Sequence, residues 1–281
     1  LLGGFYAALS IGLSISFGLL DIVNIAHPAF IILGAFVCFF FNSSYGLDPI
    51  LVGVISAPVF FLLGTLIYRI YYGSFEKTGA EALRGLAFFF GVMFIIEVIL
   101  IICFGVDFQM VQAEYIDYKA SFGVIDIPFR MFIPFVIAMV MTFGLQYFSS
   151  KTFFGRAMQA VAQDSLALRL MAIDPAKIKR IAFGLSLATC SIAGALLVIV
   201  IPIEPSVGRL YIGQVFAIVV LGGLGSQSGT LIAAMLLGLV ESLITTFFGP
   251  SWSPAVAFSA LIIVLAFKPT GILGRVGDTR G

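Results

Sequence analysis

Long apolar runs, interrupted by short polar or glycine-rich stretches, make up most of the sequence from its first residue. A bilayer core of about 30 Å needs roughly 20 consecutive apolar residues in a helix to cross it. Because backbone groups in lipid must be paired within the segment, helices are the expected structure for such runs. The pattern predicts nine hydrophobic helices, near residues 1–20, 28–41, 51–72, 85–105, 131–149, 181–201, 211–224, 229–248 and 252–267.

Two of these runs, 28–41 and 211–224, are too short to cross a bilayer upright. Each adjoins a break, the polar residues 21–28 in the first case and the glycine-rich residues 222–229 in the second. Half-spans of this kind occur only where protein or a water-filled cavity covers the backbone, so we expect two broken or re-entrant helices and about eight to nine segments. The order helix, break, small-residue helix occurs twice, which favours a weak internal repeat of the type found in transporters.

Composition narrows the class of protein further. Of the 281 residues, 61% are hydrophobic and 10% are charged, and the formal net charge is +1. A typical soluble domain has about 25% charged residues. These values exclude a soluble domain with a polar shell, a disordered chain and nucleic-acid binding by bulk charge. We therefore predict an all-α polytopic membrane protein with a single domain over residues 1–281. The three cysteines lie in apolar runs without a CxxC pair, which favours helix packing over a disulfide or metal site.

The distribution of basic residues predicts the orientation, because loops rich in Lys and Arg stay in the cytoplasm. Twelve of the fifteen Lys and Arg residues lie within 69–84, within 151–180 or after residue 267. The other three, Lys119, Arg130 and Arg209, fall in loops that must face the opposite side if the spans alternate. We expect a multi-pass protein with a cytoplasmic C-terminus.

Two loops are long enough to have structure of their own. Residues 106–130 alternate polar and apolar positions around Gly123, the pattern of a small hairpin or cap on the outer face. Residues 150–180 lie on the cytoplasmic side. Asp164 is expected to cap a short helix over 165–172, and Asp174 followed by Pro175 is a strong helix start. We therefore expect this loop to consist of short helices with sharp corners.

Few polar residues lie inside the apolar runs. A carboxylate at the bilayer centre costs about 2.5 kcal/mol or more, so Glu97 and Glu241 must face protein or water. Each could line an aqueous path or form a neutral hydrogen bond between helices. Other polar residues lie in or near the two breaks. Asp21, Asn24 and His27 belong to the first, and Gln214 and Ser226 lie near the second. They could cap freed backbone groups or contact the substrate. The candidate translocation path consists of Asn24, His27, Glu97, Gln214, Ser226 and Glu241.

Several catalytic signatures are absent from the sequence. It contains no GxxxxGK[ST] loop for ATP, no GxSxG and no HExxH, and His27 has no second imidazole with which to share a metal. We expect no catalytic residue, metal site or cofactor in this chain. Two alternatives stay open: a stand-alone ion-coupled transporter or channel that uses Asp21, Glu97 or Glu241, and a membrane enzyme with Ser14 or Ser16 near His27.

Four strings carry a family resemblance. They are SFGLLDIVNIAH at 16–27, followed by ILGAF; FGRAMQAVAQD at 154–164, followed by AID; VLGGLGSQSG at 220–229; and KPTGILGR at 268–275. In this order and spacing they resemble the permease subunits of branched-chain amino-acid ABC importers, over nearly the whole chain. Pro28 and Ala29 stand where that family usually has Gly-Glu, and Gln159 stands in place of an arginine. These departures leave the substrate open among leucine-like amino acids, urea, amides and other small solutes.

The resemblance implies a set of partners in the bacterial inner membrane. They are a second permease subunit, two cytoplasmic ATPases that carry ATP and Mg²⁺, and a periplasmic solute-binding protein, with lipid around the helices and no nucleic acid. It also implies that the ATPases grip the loop 150–180, where Gly155 would admit a partner surface and an apolar stripe would enter a groove. A stiff connector beneath the spans is the alternative. The predicted coupling residues are Gly155, Arg156, Ala162, Asp164, Leu166, Leu170, Ile173 and Asp174.

Overall fold

The structure, a computed structural model, describes residues 1–20, 22–76, 81–122, 125–268 and 270–274. Asp21, Lys77, Gly123, Arg275 and Arg280 lie outside the described residues, as does the side chain of Leu166. The helices are α1 (Leu2–Gly18), α2 (His27–Tyr45), α3 (Pro49–Ser74), α4 (Glu81–Phe104), α5 (Phe129–Lys151), α6 (Phe153–Gln163), α7 (Ser165–Leu170), α8 (Pro175–Val200), α9 (Gly208–Gly222), α10 (Gln227–Phe248) and α11 (Ser253–Phe267).

Nine of these helices coincide with the nine apolar runs, which confirms an all-α polytopic membrane protein. Seven are long and apolar enough to cross a membrane, the last of them counted with the 3-10 turn Pro250–Trp252. The short run 211–224 forms α9, which has only 15 residues, as expected. The half-span predicted for 28–41 is wrong in length, because α2 has 19 residues. Polar residues 42–44 continue the helix until Gly46, whose φ of 66° ends it in the left-handed conformation.

Two helices, α1 and α8, occupy the centre of the molecule. Every residue of α1 from Gly3 to Ser16 is buried. In α8, 78% of the most apolar 18-residue stretch is buried. α2 and α3 pack against α8, whereas α9 and α10 pack against α1, and α5 contacts both central helices. The outer faces of α3, α4 and α11 carry large exposed apolar side chains such as Leu66, Ile102 and Phe267. This arrangement is typical of helices whose outer surface faces lipid.

The predicted hairpin in the loop 106–130 is confirmed. Strands β1 (Lys119–Phe122) and β2 (Ile125–Pro128) pair antiparallel, and Lys119 Nζ donates to Asp126 Oδ2 at 2.9 Å. Hydrogen bonds from Lys119 and from Ser121 lower the pKa of the Asp126 carboxyl group. The preceding residues are attached to the helices, because Asn42 Nδ2 at the end of α2 donates to Gln112 O at 2.9 Å.

The loop 150–180 contains α6 and α7 and leads into α8, which confirms the prediction of short helices. Asp174 Oδ1 accepts a hydrogen bond from Ala176 N at 3.0 Å, and Pro175 is the first residue of α8, as expected for a capped helix start. The helix predicted over 165–172 is shorter than expected. α7 ends at Leu170, because Ala172 has a φ of 59° and the chain turns there.

Candidate functional site

The two breaks predicted from the sequence meet in space. Residues 19–26 separate α1 from α2, and residues 223–226 separate α9 from α10. A Cβ atom on Gly18 would lie 2.6 Å from the Cα atom of Gly225, and one on Gly222 would lie 2.7 Å from the carbonyl oxygen of Gly229. Real side chains do not tolerate such distances, so glycine is required for this approach of backbones.

The segment after α11 completes the same structure. Ile272 N donates to Leu221 O at 2.8 Å, and Leu273 N donates to Gly222 O at 3.2 Å. A Cβ atom on Gly223 would lie 2.7 Å from the Cα atom of Gly274. Three of the four strings, near residues 18, 220 and 270, therefore converge. We call this place the glycine junction and define it as Gly18, residues 221–229 and residues 271–274.

The fourth string, residues 154–164, is linked to the glycine junction by hydrogen bonds to Ser149, a buried residue near the end of α5. Gln227 Nε2, at the start of α10, donates to Ser149 Oγ at 2.8 Å. Gln159 Nε2, in α6, donates to Ser149 O at 3.3 Å. Ser149 thus joins the first helix of the loop 150–180 to the helix that begins at the junction.

Gly155 occupies a different place from the one predicted. It is buried, and a Cβ atom on it would lie 2.6 Å from Ser149 O, so its open side is filled by α5 of the same chain. The expectation that Gly155 admits a partner surface is therefore wrong. Its lack of a side chain lets α6 fold back against α5, and Thr152 Oγ1 caps the helix by accepting from Gly155 N at 3.0 Å.

The other predicted coupling residues differ in exposure. Leu170 is 83% exposed and its neighbour Met171 is 71% exposed, at the corner where α7 ends. Leu168, by contrast, is buried against the core. Arg156, Asp164 and Asp174 are exposed. Ala162 and Ile173 are half-buried. Their role in coupling stays a prediction.

At the first break, the side chains do not cap the following helix. Ala26 is the N-cap residue of α2 and makes no side-chain cap. Asn24 is fully buried, and neither its amide nitrogen nor its amide oxygen has a hydrogen-bond partner among the described residues. His27 is also buried, with Nε2 at 3.2 Å from Leu9 O and Nδ1 at 3.4 Å from Cys190 Sγ. The first residue of α2 thus contacts the middle of α1 and α8. A path role for Asn24 and His27 stays a prediction.

At the second break, one cap is confirmed. Ser226 Oγ accepts from Gly229 N at 3.1 Å and so caps α10. Gln214 does not cap a helix. Its Nε2 atom donates to Glu241 Oε2 at 3.0 Å, and Tyr6 OH donates to Glu241 Oε1 at 2.8 Å. The Ser253 hydroxyl also donates to Oε1. The buried carboxylate of Glu241 therefore joins α1, α9, α10 and α11, and all three partners donate to it.

Glu97 forms an ion pair, an arrangement that neither sequence interpretation included. Arg209 Nε lies 2.8 Å from Glu97 Oε2, and Arg209 Nη2 lies 2.6 Å from Glu97 Oε1, so the guanidinium grips both oxygens. The same guanidinium lies over the ring of Phe94, with 4.8 Å between Cζ and the ring centroid. This geometry overturns the idea of a neutral hydrogen bond at Glu97, because a bidentate arginine pairs with a carboxylate.

Sequence reasoning missed the partners of both acidic residues. The charge pattern predicts that Arg209 lies in an outer loop, whereas it is the second residue of α9. An arginine at the start of an apolar helix is itself a signal of a buried partner. Tyr6 and Ser253 gave no such signal, because tyrosine and serine are common in membrane helices. Ser149 likewise has no local feature that distinguishes it.

Over residues 1–266 the chain matches the sequence model of the family described as branched-chain amino acid transport system, permease component. The chain belongs to this family. The glycine junction is thus the place where three of the four strings that carry the family resemblance come together.

Full-length relatives agree with this assignment. The high-affinity branched-chain amino acid transport system permease protein BraD of Pseudomonas aeruginosa is 28% identical over 97% of this chain and 92% of its own length. LivH of Escherichia coli K12, a permease protein of the same description, is 26% identical over 98% of this chain and 92% of its own length. LivM of the same organism is 26% identical over 95% of this chain and 67% of its own length. No solved structure matches the chain.

Membership of a transport permease family confirms the main interpretation and disfavours a membrane enzyme. The geometry near His27 is also unlike that of a nucleophile and base. Ser14 Oγ accepts from Thr230 Oγ1 at 3.1 Å, Ser16 Oγ donates to Leu13 O at 3.3 Å, and His27 faces Leu9 O. Neither serine is hydrogen-bonded to the imidazole.

Proposed function

We propose that this branched-chain permease component forms one half of the membrane channel of an ATP-driven importer. It would lie in the inner membrane with its C-terminus in the cytoplasm, and it would carry branched-chain amino acids or similar small solutes. The names of the relatives support this substrate class, and the presence of LivH and LivM in one organism supports a pair of unlike permeases. A periplasmic binding protein would deliver the solute.

The observation that carries the proposal is the exposed apolar corner at Leu170 and Met171. Large apolar side chains that protrude together from a loop commonly mark a contact with another protein. This corner belongs to a loop with six of the chain's fifteen basic residues, on the end of the helices assigned to the cytoplasm. We infer that two ATPases, which would bind ATP and Mg²⁺, contact the permease here.

Contacts between α6 and the neighbouring helices would transmit a movement of the loop 150–180 to α5 and α10. α6 is fixed against α5 by the close packing of Gly155, and Ser149 is hydrogen-bonded to both Gln159 and Gln227. A displacement of the loop by an ATPase would therefore act on the start of α10 and on the glycine junction. Close backbone contacts transmit such displacements because the packed atoms have little room to yield. This mechanism would alternate the access of the path between the two faces.

The proposal is tested by making the corner polar in the assembled transporter. We expect Leu170→Asp with Met171→Asp to leave the permease inserted and stable, because both side chains already face solvent. Binding of the ATPases should weaken on the order of 100-fold, the loss typical for two central contact residues. Co-purification of the subunits and ATP-dependent uptake into proteoliposomes measure the effect.

Leu83→Asp serves as the matched control, since Leu83 is 85% exposed at the start of α4, outside the loop. It should leave assembly and uptake near wild-type levels. Wild-type assembly and transport by the double variant would show that the corner is not the coupling contact. Uptake that a protonophore abolishes while ATP is intact would instead establish the stand-alone ion-coupled alternative.

A further inference from the structure

A groove between α3 and α8 lies apart from the glycine junction and the coupling corner. It has a volume of about 310 Å³ and is lined by Phe61, Thr65, Leu66, Arg69, Arg180 and Ile181. Arg69 is six residues into the end of α3, and Arg180 is six residues into the start of α8. Because the two helices run antiparallel, both guanidinium groups lie near the membrane surface on the side of the loop 150–180.

Neither arginine is neutralised within the part of the chain that the structure describes. The nearby acidic residue Glu76 is already engaged, since its Oε1 atom accepts from Lys179 Nζ at 2.6 Å and its Oε2 atom accepts from Tyr68 OH at 2.7 Å. Arg69 and Arg180 make no ion pair or hydrogen bond with any other described residue. The groove thus presents two uncompensated positive charges.

The walls of the groove towards the membrane interior are apolar. Leu66 is 55% exposed there, and it belongs to a stripe of exposed apolar side chains along α3. The members of this stripe are Leu51, Ile55, Val59, Leu62, Leu66 and Ile70. Their spacing of three and four residues puts them on one face of the helix. A ligand that fits must therefore combine a negatively charged head with long apolar chains.

We propose that this groove binds an anionic phospholipid, with the phosphate held between Arg69 and Arg180 and an acyl chain along the stripe on α3. Guanidinium groups bind phosphate oxygens through paired N–H donors, and basic pockets between membrane helices on the cytoplasmic side are suited to anionic headgroups. The inference is independent of the proposed transport function. It requires only that α3 and α8 lie in a bilayer.

The test compares lipids that differ only in headgroup. The purified full chain is titrated with phosphatidylglycerol or phosphatidylcholine of the same acyl chains, and bound lipid is counted by native mass spectrometry. We expect a preference for phosphatidylglycerol in the wild-type chain. Arg69→Gln with Arg180→Gln should lower that affinity about 30-fold, as expected for the loss of two surface cations. The change of both residues to Lys should retain most of it.

Arg84→Gln is the matched control, because Arg84 is an exposed arginine at the corresponding end of α4, outside the groove. It should bind phosphatidylglycerol as the wild type does. Equal binding of the two lipids by the wild-type chain would overturn the proposal without reference to any variant. It would also be overturned if the double Gln variant kept its phosphatidylglycerol but lost its ATPase partners, since the groove would then be a protein contact.

Discussion

α3 and α8 begin with the same type of N-terminal cap, but α3 lies at the outside of the molecule and α8 at its centre. Each has 26 residues, and each starts with an aspartate N-cap followed by proline. Their most apolar windows have mean hydropathies of 2.5 and 2.2, yet 22% of the window is buried in α3 and 78% in α8. Hydropathy and caps therefore do not decide which of two helices lies at the centre.

The difference between the two helices comes from small residues. Gly184, Ser191 and Gly194 in α8 allow neighbouring backbones to approach from both sides. A Cβ atom on Gly194 would lie 2.5 Å from Ala35 N in α2, and one on Gly64 in α3 would lie 2.9 Å from the Cα atom of Gly184. α3 has small residues on only one face, and its other face carries leucine and isoleucine. In lipid, helix association depends on such close packing, because apolar burial gives little advantage there.

The largest effect on this comparison is expected from Gly194→Ala. The added methyl group would meet the backbone of α2, which cannot rotate away, so we expect a loss of about 3 kcal/mol, the upper part of the range for overpacking. The midpoint of thermal denaturation of the purified chain in detergent measures it. Gly91→Ala, in α4, has open space around the new methyl group and should change the midpoint little. Equal effects of the two changes would contradict the role of close packing around α8.

A smaller effect is expected when the hydrogen bonds between the two helices are removed. Ser191 Oγ donates to Gly53 O at 2.7 Å and lies 2.7 Å from Ser56 Oγ. Ser191→Ala loses both contacts, and we expect a cost of about 1 to 2 kcal/mol in the same denaturation measurement. Ser150→Ala removes a hydroxyl that bonds only within α5, to Gln146 O and Tyr147 O, and provides the comparison. If Ser191→Ala is as stable as Ser150→Ala, the hydrogen bonds do not contribute and packing alone joins the helices.

The smallest effect is expected at the caps, and it should be of similar size in both helices. Asp48 Oδ1 accepts from Ile50 N at 2.8 Å and from Leu51 N at 3.2 Å, and Asp174 Oδ1 accepts from Ala176 N at 3.0 Å. Replacement of either aspartate by alanine should cost about 1 kcal/mol, because a cap satisfies the helix end whatever the burial of the rest. Denaturation midpoints of the two variants test this. A much larger loss for Asp174→Ala would mean that the cap of the central helix has a further structural role.

Local features of the sequence predicted much of this architecture. The nine apolar runs, the pairing of β1 with β2 and the start of α8 at Pro175 follow from interactions between residues close together in the chain. The predictions that fail concern residues whose surroundings are set by the packing of one helix against another, even where the two helices are neighbours in the chain. The sequence predicts that Gly155 faces a partner protein, whereas α5 fills the space beside it. It also favours a capping role for Asn24, whereas no side chain caps α2.

Local patterns in the sequence are sufficient to show that the chain lies in a membrane, approximately where its long apolar helices lie, and which family it belongs to. The choice of the central helices, the contacts between glycines and the surroundings of the acidic residues depend on tertiary packing. Tyr6 is 235 residues away from Glu241, and Glu97 is 112 residues away from Arg209. Apolar runs and caps involve neighbouring residues and can be recognised one segment at a time. A hydrogen bond between distant helices exists only after packing has brought them together.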